Sequence, residues 1–253
     1  FRNIVSPSCQ DLKTSINLFS PIKDFLQSNF GIRFYRNSLP RGVSLFDDIN
    51  RINKSEICEI WDIGAHKGET TLEFSKVYKS ATIRSFEPVS ENFAILNDNC
   101  SHLKNQYSHK IALGNSEKEV LVHLQKASVN HSLRDDLNSP IHEGSHSEKV
   151  SQKTIDSLLS KFSCKGIDLL KIDVEGYEKS VIEGAKGSLK DKRINFIFIE
   201  TGLDHRFNSI SSLSELLSPM GYLPYGFYDQ NPHWTGTQNL WYWNTLFVRA
   251  DFL

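Results

Sequence analysis

Short apolar runs alternate with segments of helical periodicity along the middle of the chain. The runs are continuous, as in strands that are buried on both faces of a sheet. They read "EICEIWDIG", "ATIRSFEP", "GIDLLKIDVEG" and "INFIFIE". Between them, apolar residues recur three and four positions apart, for example Phe74, Val77 and Tyr78, which predicts helices packed on the sheet. Strands that alternate with helices in this way predict an α/β fold with a largely parallel sheet.

After a short third strand predicted in "HKIALG", the pattern changes. "EVLVHLQK" alternates as a half-exposed strand does, and we interpret residues 115–165 as an insertion with one or two antiparallel strands and a loop. Near the end, "YLPYGFY" and "LWYWNTLFVR" predict an antiparallel hairpin. Residues 1–55 show no parallel-sheet pattern and are interpreted as a small helical cap on a main domain of residues 56–253.

The composition is that of an ordinary globular protein. Hydrophobic residues make up 39% and charged residues 23% of the chain, which is enough for a sizeable core. The net charge of -1 gives no reason to expect nucleic acid or an anionic membrane as a partner. No stretch approaches the ~18 apolar residues of a transmembrane helix, so no transmembrane segment is expected.

The cysteines are scattered, with neither a CxxC pair nor the spacing of a zinc site. This usage favours a reducing compartment, so we expect a cytoplasmic protein in which Cys58 is buried in the first strand. The chain begins at Phe1, and its one methionine is Met220, so we expect that the natural start has been trimmed. A removed targeting segment stays an alternative.

Four of the predicted strands end in an acidic residue, namely Asp62, Glu87, Asp173 and Glu200. In an open α/β sheet, ligands bind beyond the carboxyl ends of the strands, where the order of the strands switches. The acids are therefore expected to meet at one edge of the sheet. Their convergence is the main sequence signal for a binding site.

The segment "DIGAHKG" predicts a turn for a nucleoside cofactor. Gly64 and Gly68 allow the backbone to approach a ligand at the start of a helix, and Glu87 can accept from both ribose hydroxyls. The spacing is GxxxG, not GxGxxG, and no P-loop lysine follows, which argues against NAD and ATP. S-adenosylmethionine fits better, with Asp62 accepting from its ammonium group and Gly64 leaving room for its tail. The alternative is a tight structural turn without a ligand.

In order, "DIGAHKG", "FEP", "TIDSLL", "LLKIDVEGYE" and "IFIE" resemble the motifs of the FkbM family of S-adenosylmethionine-dependent methyltransferases, over about residues 57–203. The resemblance implies the class I methyltransferase fold, a Rossmann-like, mostly parallel seven-stranded sheet whose last strand is antiparallel. It also implies methyl transfer to a hydroxyl oxygen, often on a sugar or a polyketide-like molecule. His66 departs from the family, which usually has asparagine there. Histidine also tolerates the turn and can hydrogen-bond the cofactor.

Methyl transfer to an alcohol is an in-line displacement that also requires removal of the hydroxyl proton. Asp173, Glu175 and Glu200 are the predicted catalytic acids, and these oxygen ligands could instead hold a divalent metal such as Mg²⁺. His205 is the predicted base if no metal takes part. The alternatives are that Glu175 caps the following helix and that Glu200 holds a loop.

Two further regions are predicted to border the site. Asn130, His131 and Ser132 lie in the insertion where the family's loop reaches toward the active site, and Asn130 and Ser132 are predicted cofactor contacts. A solvated loop is the alternative. The segment "NPHWTGTQNLWYW" is rich in tryptophan, whose rings suit the apolar face of a sugar, although alternate strand residues can equally fill the core.

The sequence therefore predicts an S-adenosylmethionine-dependent O-methyltransferase for a hydroxyl of a small molecule, with a sugar or glycan unit as the favoured acceptor. Another acceptor, such as a carboxylate, an amine or a peptide side chain, is the second enzyme hypothesis. From a different class, a cofactor-binding partner subunit without catalysis is the third. The oligomeric state is not indicated.

Overall fold

The computed structural model describes residues 39–124, 146–202, 209–232 and 240–253, together with residues 25–26, 28–30 and 35. The chain divides into two compact units, Phe1–Pro40 and Arg41–Leu253. All the helices and strands discussed below belong to the second unit. Within the described ranges, no helix is both long and apolar enough to cross a membrane.

In the described part of the second unit, ten strands form two sheets. They are β1 Glu59–Ile63, β2 Thr82–Phe86, β3 Gln106–His109, β4 Ala112–Leu113, β5 Lys118–Leu124, β6 His146–Lys153, β7 Ile167–Ile172, β8 Ile194–Gly202, β9 Tyr222–Pro232 and β10 Leu240–Arg249. The main sheet has the order β3-β2-β1-β7-β8-β10-β9. Its strands are parallel except β10, which runs antiparallel to both neighbours. The predicted fold class is therefore confirmed.

The smaller sheet arises from the predicted insertion and has the order β4-β6-β5. β5 and β6 form an antiparallel pair, whereas β4 pairs with β6 in parallel. One strand prediction needs correction here. "HKIALG" is not one strand, because β3 of the main sheet ends at His109 and β4 belongs to the smaller sheet. The chain changes sheet between them.

Seven α-helices connect the strands of the described part. They are α1 Leu45–Ile52, α2 Glu69–Val77, α3 Ser90–Cys100, α4 Ile155–Lys161, α5 Glu178–Glu183, α6 Lys186–Lys190 and α7 Ile210–Leu217. Three begin at a serine or threonine whose side chain accepts from a backbone N–H of the first turn, namely Ser44, Thr154 and Ser209. Ser90 is the first residue of α3, and its backbone N–H and its hydroxyl group both contact the carboxylate of Glu148.

The core lies on both faces of the main sheet because alternate strand residues point in opposite directions. On β8, Phe196 belongs to the core cluster of one face and Ile197 to that of the other. This two-sided burial explains why the strands appear as continuous apolar runs. Two burial predictions were wrong. Cys58 is exposed because it precedes β1, and Val77 is 42% exposed at the end of α2.

Candidate functional site

The chain leaves β1 through a turn that is fastened to the end of β2. The N–H groups of Gly64 and Ala65 donate to the carbonyl oxygen of Phe86 at 3.0 and 3.1 Å. Gly64, His66 and Gly68 have φ values of 74°, 49° and 93°. Histidine and asparagine are among the side chains that adopt this left-handed conformation most readily. The backbone therefore accounts for His66 at a position where the family usually has asparagine.

The two glycines of the turn are required by contacts within the protein. A Cβ atom on Gly64 would lie 1.7 Å from the backbone oxygen of Asp173, where no side chain fits. A Cβ atom on Gly68 would lie 2.9 Å from Cδ1 of Leu96 and 3.0 Å from Sγ of Cys100. The expectation that a side chain at Gly64 would enter the path of a ligand is corrected accordingly. The space next to Gly64 is taken up by the end of β7.

Beyond the carboxyl ends of the strands lies a pocket of about 220 Å³. It is lined by Gly64, Ala65, His66, Glu69, Thr70, Glu87, Pro88, Val89, Asn92, Val122, Lys171, Asp173, Val174 and Glu175. The structure thus brings five predicted site residues to one pocket: Gly64, His66, Glu87, Asp173 and Glu175. Three others, Asp62, Gly68 and Glu200, are not among its lining residues.

Glu87 forms one wall of the pocket and is held rigidly from the backbone. One carboxylate oxygen accepts from the N–H of His66 at 3.0 Å and the other from the N–H of Val89 at 2.9 Å. The residue is 5% exposed. Burial raises the pKa of Glu87 to about 7, although these two N–H donors, Asn92 and the charge of Lys171 act in the opposite direction. With Asn92 as a third donor, the carboxylate keeps acceptor capacity for a further donor in the pocket.

Asp62 is fully buried, and its carboxylate is enclosed by the protein. Oδ2 accepts from Oγ1 of Thr71 at 2.6 Å, and Nζ of Lys171 lies 3.0 Å from Oδ1. Oγ1 of Thr71 is also 2.8 Å from Oγ of Ser85. The predicted contact between Asp62 and the ammonium group of a ligand stays a prediction, and this enclosed geometry does not favour it.

Carboxyl groups also gather where β7 and β8 end. The side chain of Asp173 is 42% exposed, and Asp173 and Glu200 form a side-chain hydrogen bond. Burial raises the pKa of Glu200 to about 9, and the charges of Asp173 and Glu175 act in the same direction. Burial and the neighbouring charges of Asp173 and Glu178 raise the pKa of Glu175 to about 7. Glu200 therefore keeps its proton near neutral pH.

The loop that carries Glu175 is held by a different acid. Oε1 of Glu178, a residue only 2% exposed, accepts from the N–H groups of Val174 and Gly176, both at 3.1 Å. Glu175 has a φ of 53° within this loop. The N-cap residue of α5 is Tyr177 and not Glu175, so the alternative in which Glu175 caps that helix is not supported.

The carboxyl groups do not form a metal centre as they stand. In the described ranges, no three His, Cys, Asp or Glu side chains are arranged to hold a metal ion. The charge of Asp173 instead helps to raise the pKa of Glu175 and of Glu200, as neighbouring groups of like charge do. The oxygen-ligand set predicted for Mg²⁺ is therefore not supported by this arrangement.

Several predicted residues lie outside the described residues: Asn130, His131, Ser132, His205 and the tryptophan-rich segment at positions 233–239. Of that aromatic region, Trp243 is described and is 6% exposed. Its indole N–H donates to Oγ1 of Thr245 at 3.0 Å. For Trp243, the alternative in which strand residues fill the core is confirmed.

Sequence reasoning missed Lys171, which lines the pocket next to Asp62 and Asp173. A signal was present, because a lone lysine inside the buried run "LLKI" requires a charged partner. Asn92 and Val122 were also missed. They come from α3 and from β5 of the insertion, and no local spacing connects them to the glycine turn.

Comparison with known proteins identifies a family. The model described as "Methyltransferase FkbM domain" matches residues 62–225. "Methyltransferase 1" from Beauveria bassiana (strain ARSEF 2860) is 26% identical over 142 residues, which cover 49% of this chain and 57% of the fungal protein. The crystal structure of an FkbM methyltransferase from Methylobacillus flagellatus KT is similar at 16% identity, with a TM-score of 0.51.

The structural match covers 78% of this chain and 44% of the Methylobacillus chain, and at such low identity it shows the fold alone. This chain spans about half the length of the two relatives. The family model, by contrast, extends over more than half of the chain, from the aspartate before the glycine turn to β9. The resemblance of the sequence motifs is thereby confirmed, and the protein belongs to the FkbM methyltransferase family.

Proposed function

We propose that the protein is an S-adenosylmethionine-dependent O-methyltransferase that acts on a hydroxyl group of a small molecule, with a sugar or glycan unit as the favoured acceptor. The observation that carries the proposal is the position of Glu87. Its buried carboxylate borders the pocket beside the glycine turn, at the end of the strand next to β1. A carboxylate so placed can accept from the two hydroxyl groups of a ribose.

The charge of the pocket supports this cofactor over a dinucleotide or ATP. Four carboxyl residues, Glu69, Glu87, Asp173 and Glu175, line it, against the single ammonium group of Lys171. Such a pocket repels a diphosphate and favours a ligand with sulfonium and ammonium groups. Nε2 of His66 is buried without a hydrogen-bond partner in the described structure, so this edge of the pocket offers a further polar contact.

S-adenosylmethionine would supply an electrophilic methyl group, and the protein must position the acceptor and remove its proton. Glu200, beside Asp173 at adjacent strand ends, suits the second task because its raised pKa makes its carboxylate a stronger proton acceptor than an ordinary glutamate. When Glu200 is deprotonated, its carboxylate accepts the hydroxyl proton as the oxygen–methyl bond forms. Glu175 borders the same side of the pocket and can hold the acceptor by a hydrogen bond.

The same carboxyl groups favour an acceptor without charge. An anionic acceptor would have to approach the carboxylate that accepts its proton, beside Asp173 and Glu175, against the charge of that carboxylate. A sugar hydroxyl carries no charge and offers several donors to these acids. In this proposal, residues 56–253 form the methyltransferase domain and residues 1–55 a cap, and His205, Asn130 and Ser132 stay predicted contacts. Location in the cytoplasm also stays a prediction.

Titration calorimetry tests the cofactor, with S-adenosylmethionine, S-adenosylhomocysteine and NAD as ligands. The wild-type protein should bind the first two and not NAD. Glu87→Gln should weaken binding roughly 10-fold to 100-fold, the equivalent of a lost hydrogen bond to a charged group. Glu91→Gln is the matched control, because Glu91 is an exposed residue of α3 close to the pocket. Equal affinity of the two variants would contradict the assignment of Glu87.

Mass spectrometry of products tests the acceptor, with a panel of sugars, carboxylates, amines and peptides incubated with S-adenosylmethionine. A methylated sugar hydroxyl supports the proposal. Methylation of a carboxylate, an amine or a peptide alone would replace it by the second hypothesis. Cofactor binding without turnover on any acceptor of the panel would favour a partner subunit without catalysis.

A further inference from the structure

Lys171 places a buried ammonium group at the centre of the site. The residue is 6% exposed, and its Nζ donates to the carbonyl oxygen of Gly64 at 2.9 Å. Nζ also lies 3.0 Å from Oδ1 of Asp62 and 3.6 Å from Oδ2 of Asp173. Burial disfavours the charge of Lys171, but the two carboxylates outweigh it and raise the pKa of the lysine to about 12. The ammonium group is therefore charged at neutral pH.

The register of the strands explains these contacts. β1 and β7 are parallel neighbours, and Asp62 pairs with Lys171, so the two side chains point to the same face of the sheet. On the far side of Asp62, Thr71 connects to Ser85 on β2. On the far side of Lys171, Asp173 connects to Glu200 on β8. A polar chain thus crosses the carboxyl ends of four adjacent strands: Ser85, Thr71, Asp62, Lys171, Asp173 and Glu200.

Stability alone does not explain the pair of Lys171 and Asp62. Removing two charges from water costs more than most ion pairs return, and well-packed apolar residues in their place are often as stabilising. Nearby positions on the same face of these strands are apolar, namely Ile60 and Leu169. Apolar residues at positions 62 and 171 would therefore have continued the apolar core of this face. What the charged pair adds is the bond from Nζ to the carbonyl of the glycine turn.

We propose that Lys171 is a positioning residue of the cofactor pocket: paired with Asp62, it holds the carbonyl of Gly64 and so fixes the glycine turn against the end of β7. The inference rests on the proposed function, because it assigns the turn to S-adenosylmethionine. Asp62 acts through Lys171 and not by contact with the cofactor. The pair of Asp62 and Lys171 maintains the shape of the pocket and is not required for folding.

Two variants separate positioning from stability. Lys171→Met leaves Asp62 buried without its partner, and it should lower both the melting temperature and the affinity for S-adenosylmethionine. Asp62→Leu combined with Lys171→Met replaces the pair by apolar groups and should return the melting temperature to the wild-type value. Affinity in the double variant should stay roughly 10-fold to 100-fold below wild type, because the turn has lost its charged hydrogen bond. Lys79→Met, an exposed lysine after the end of α2, is the control.

Calorimetry well below the melting temperatures and amide hydrogen exchange of residues 64–68 give the readouts. Faster exchange of the turn in the double variant, with unchanged exchange of β8, supports positioning. A double variant that binds as wild type would show that the pair serves stability alone and would overturn the inference. A Lys171→Met variant that binds at least as tightly as wild type would also overturn it, since Asp62 would then contact the cofactor directly.

Two safeguards keep the test decisive. If the double apolar variant does not fold, Asp62→Asn with Lys171→Gln replaces it, since the two amides are close in size to the original side chains, and the same criteria apply. Failure of the wild-type protein to bind S-adenosylmethionine would instead contradict the proposed function. That result is separate from the two that overturn the role of Lys171, because both presuppose wild-type binding.

Discussion

Replacing Gly64 with alanine should cost the fold more than the same replacement at Gly68, although both glycines have a left-handed backbone. The difference lies in what the new methyl group meets. At Gly64 it meets a backbone oxygen of Asp173 at 1.7 Å, and backbone at a strand end yields only if the strand moves. At Gly68 it meets the side-chain atoms Leu96 Cδ1 and Cys100 Sγ at 2.9 and 3.0 Å, which can shift by a few tenths of an ångström.

The contacts give an order of magnitude for each variant. Left-handed backbone costs alanine about 1–2 kcal/mol at either position. At Gly64, moving the turn away also weakens two hydrogen bonds, from Asp173 N to Ile63 O at 3.0 Å and from Lys171 Nζ to Gly64 O at 2.9 Å. A neutral bond contributes about 1 kcal/mol and a charged one about 1.5–3 kcal/mol. We expect a loss of roughly 4–6 kcal/mol for Gly64→Ala and roughly 1–3 kcal/mol for Gly68→Ala.

Denaturation with urea measures both losses as free energies of unfolding, with the wild-type slope as a check that the transition stays cooperative. A loss of this size at Gly64 is a large fraction of the stability of an ordinary domain, about 5–15 kcal/mol. Free energies of unfolding for the two variants that agree within about 1 kcal/mol would refute the reasoning from close approach. The turn would then have room that the distance to Asp173 excludes.

Three further predictions concern the acids. The pKa of Glu200 is raised to about 9, so its contribution to stability is fully present below its ordinary pKa and is lost as the pH rises toward 9. The free energy of unfolding, measured at pH 5, 7 and 9, should therefore decline less with pH for Glu200→Gln than for wild type. Methyl transfer should rise with pH through the neutral range, because Glu200, whose pKa is raised to about 9, must lose its proton first; a flat rate profile would contradict this. Glu178→Ala should lower the free energy of unfolding by about 2–4 kcal/mol, since two partly buried N–H groups lose a charged acceptor, and Glu178→Gln by less, as denaturation would show.

The fold was predictable because its signals are local. The runs before Asp62, Glu87 and Asp173 are continuous where strands are buried on both faces, and each is followed by a turn and a helix. The hairpin of β9 and β10 and the antiparallel pair in the insertion also follow from local patterns. The division of "HKIALG" between two sheets was missed, because the residues of β6 that pair with β4 lie about forty positions later in the sequence.

The site was predictable only in part, because its contacts are long-range. Of the four acids at the strand ends, Glu87 and Asp173 line one pocket together with Glu175, whereas Asp62 and Glu200 are not among its lining residues. Whether an acid faces the pocket or the interior depends, however, on its partner, and such partners can be distant in sequence. Lys171, for example, is 107 residues away in sequence from Gly64, whose carbonyl oxygen it binds. The glycine spacing likewise indicated a close approach of backbone, but not that Asp173 occupies the space beside Gly64.

Two acids of the site differ in a way that divides the proposed work between them. Glu87 is fixed by N–H donors from His66 and Val89, which hold its carboxyl group in one place. Glu200 lies beside a second carboxyl group, Asp173, whose charge helps to raise the pKa of Glu200 to about 9. A ligand is best held by a group whose geometry is constant, and a proton is best moved by groups whose proton affinities are coupled. The cofactor therefore belongs to the Glu87 side of the proposed site and proton transfer to the side of Asp173 and Glu200.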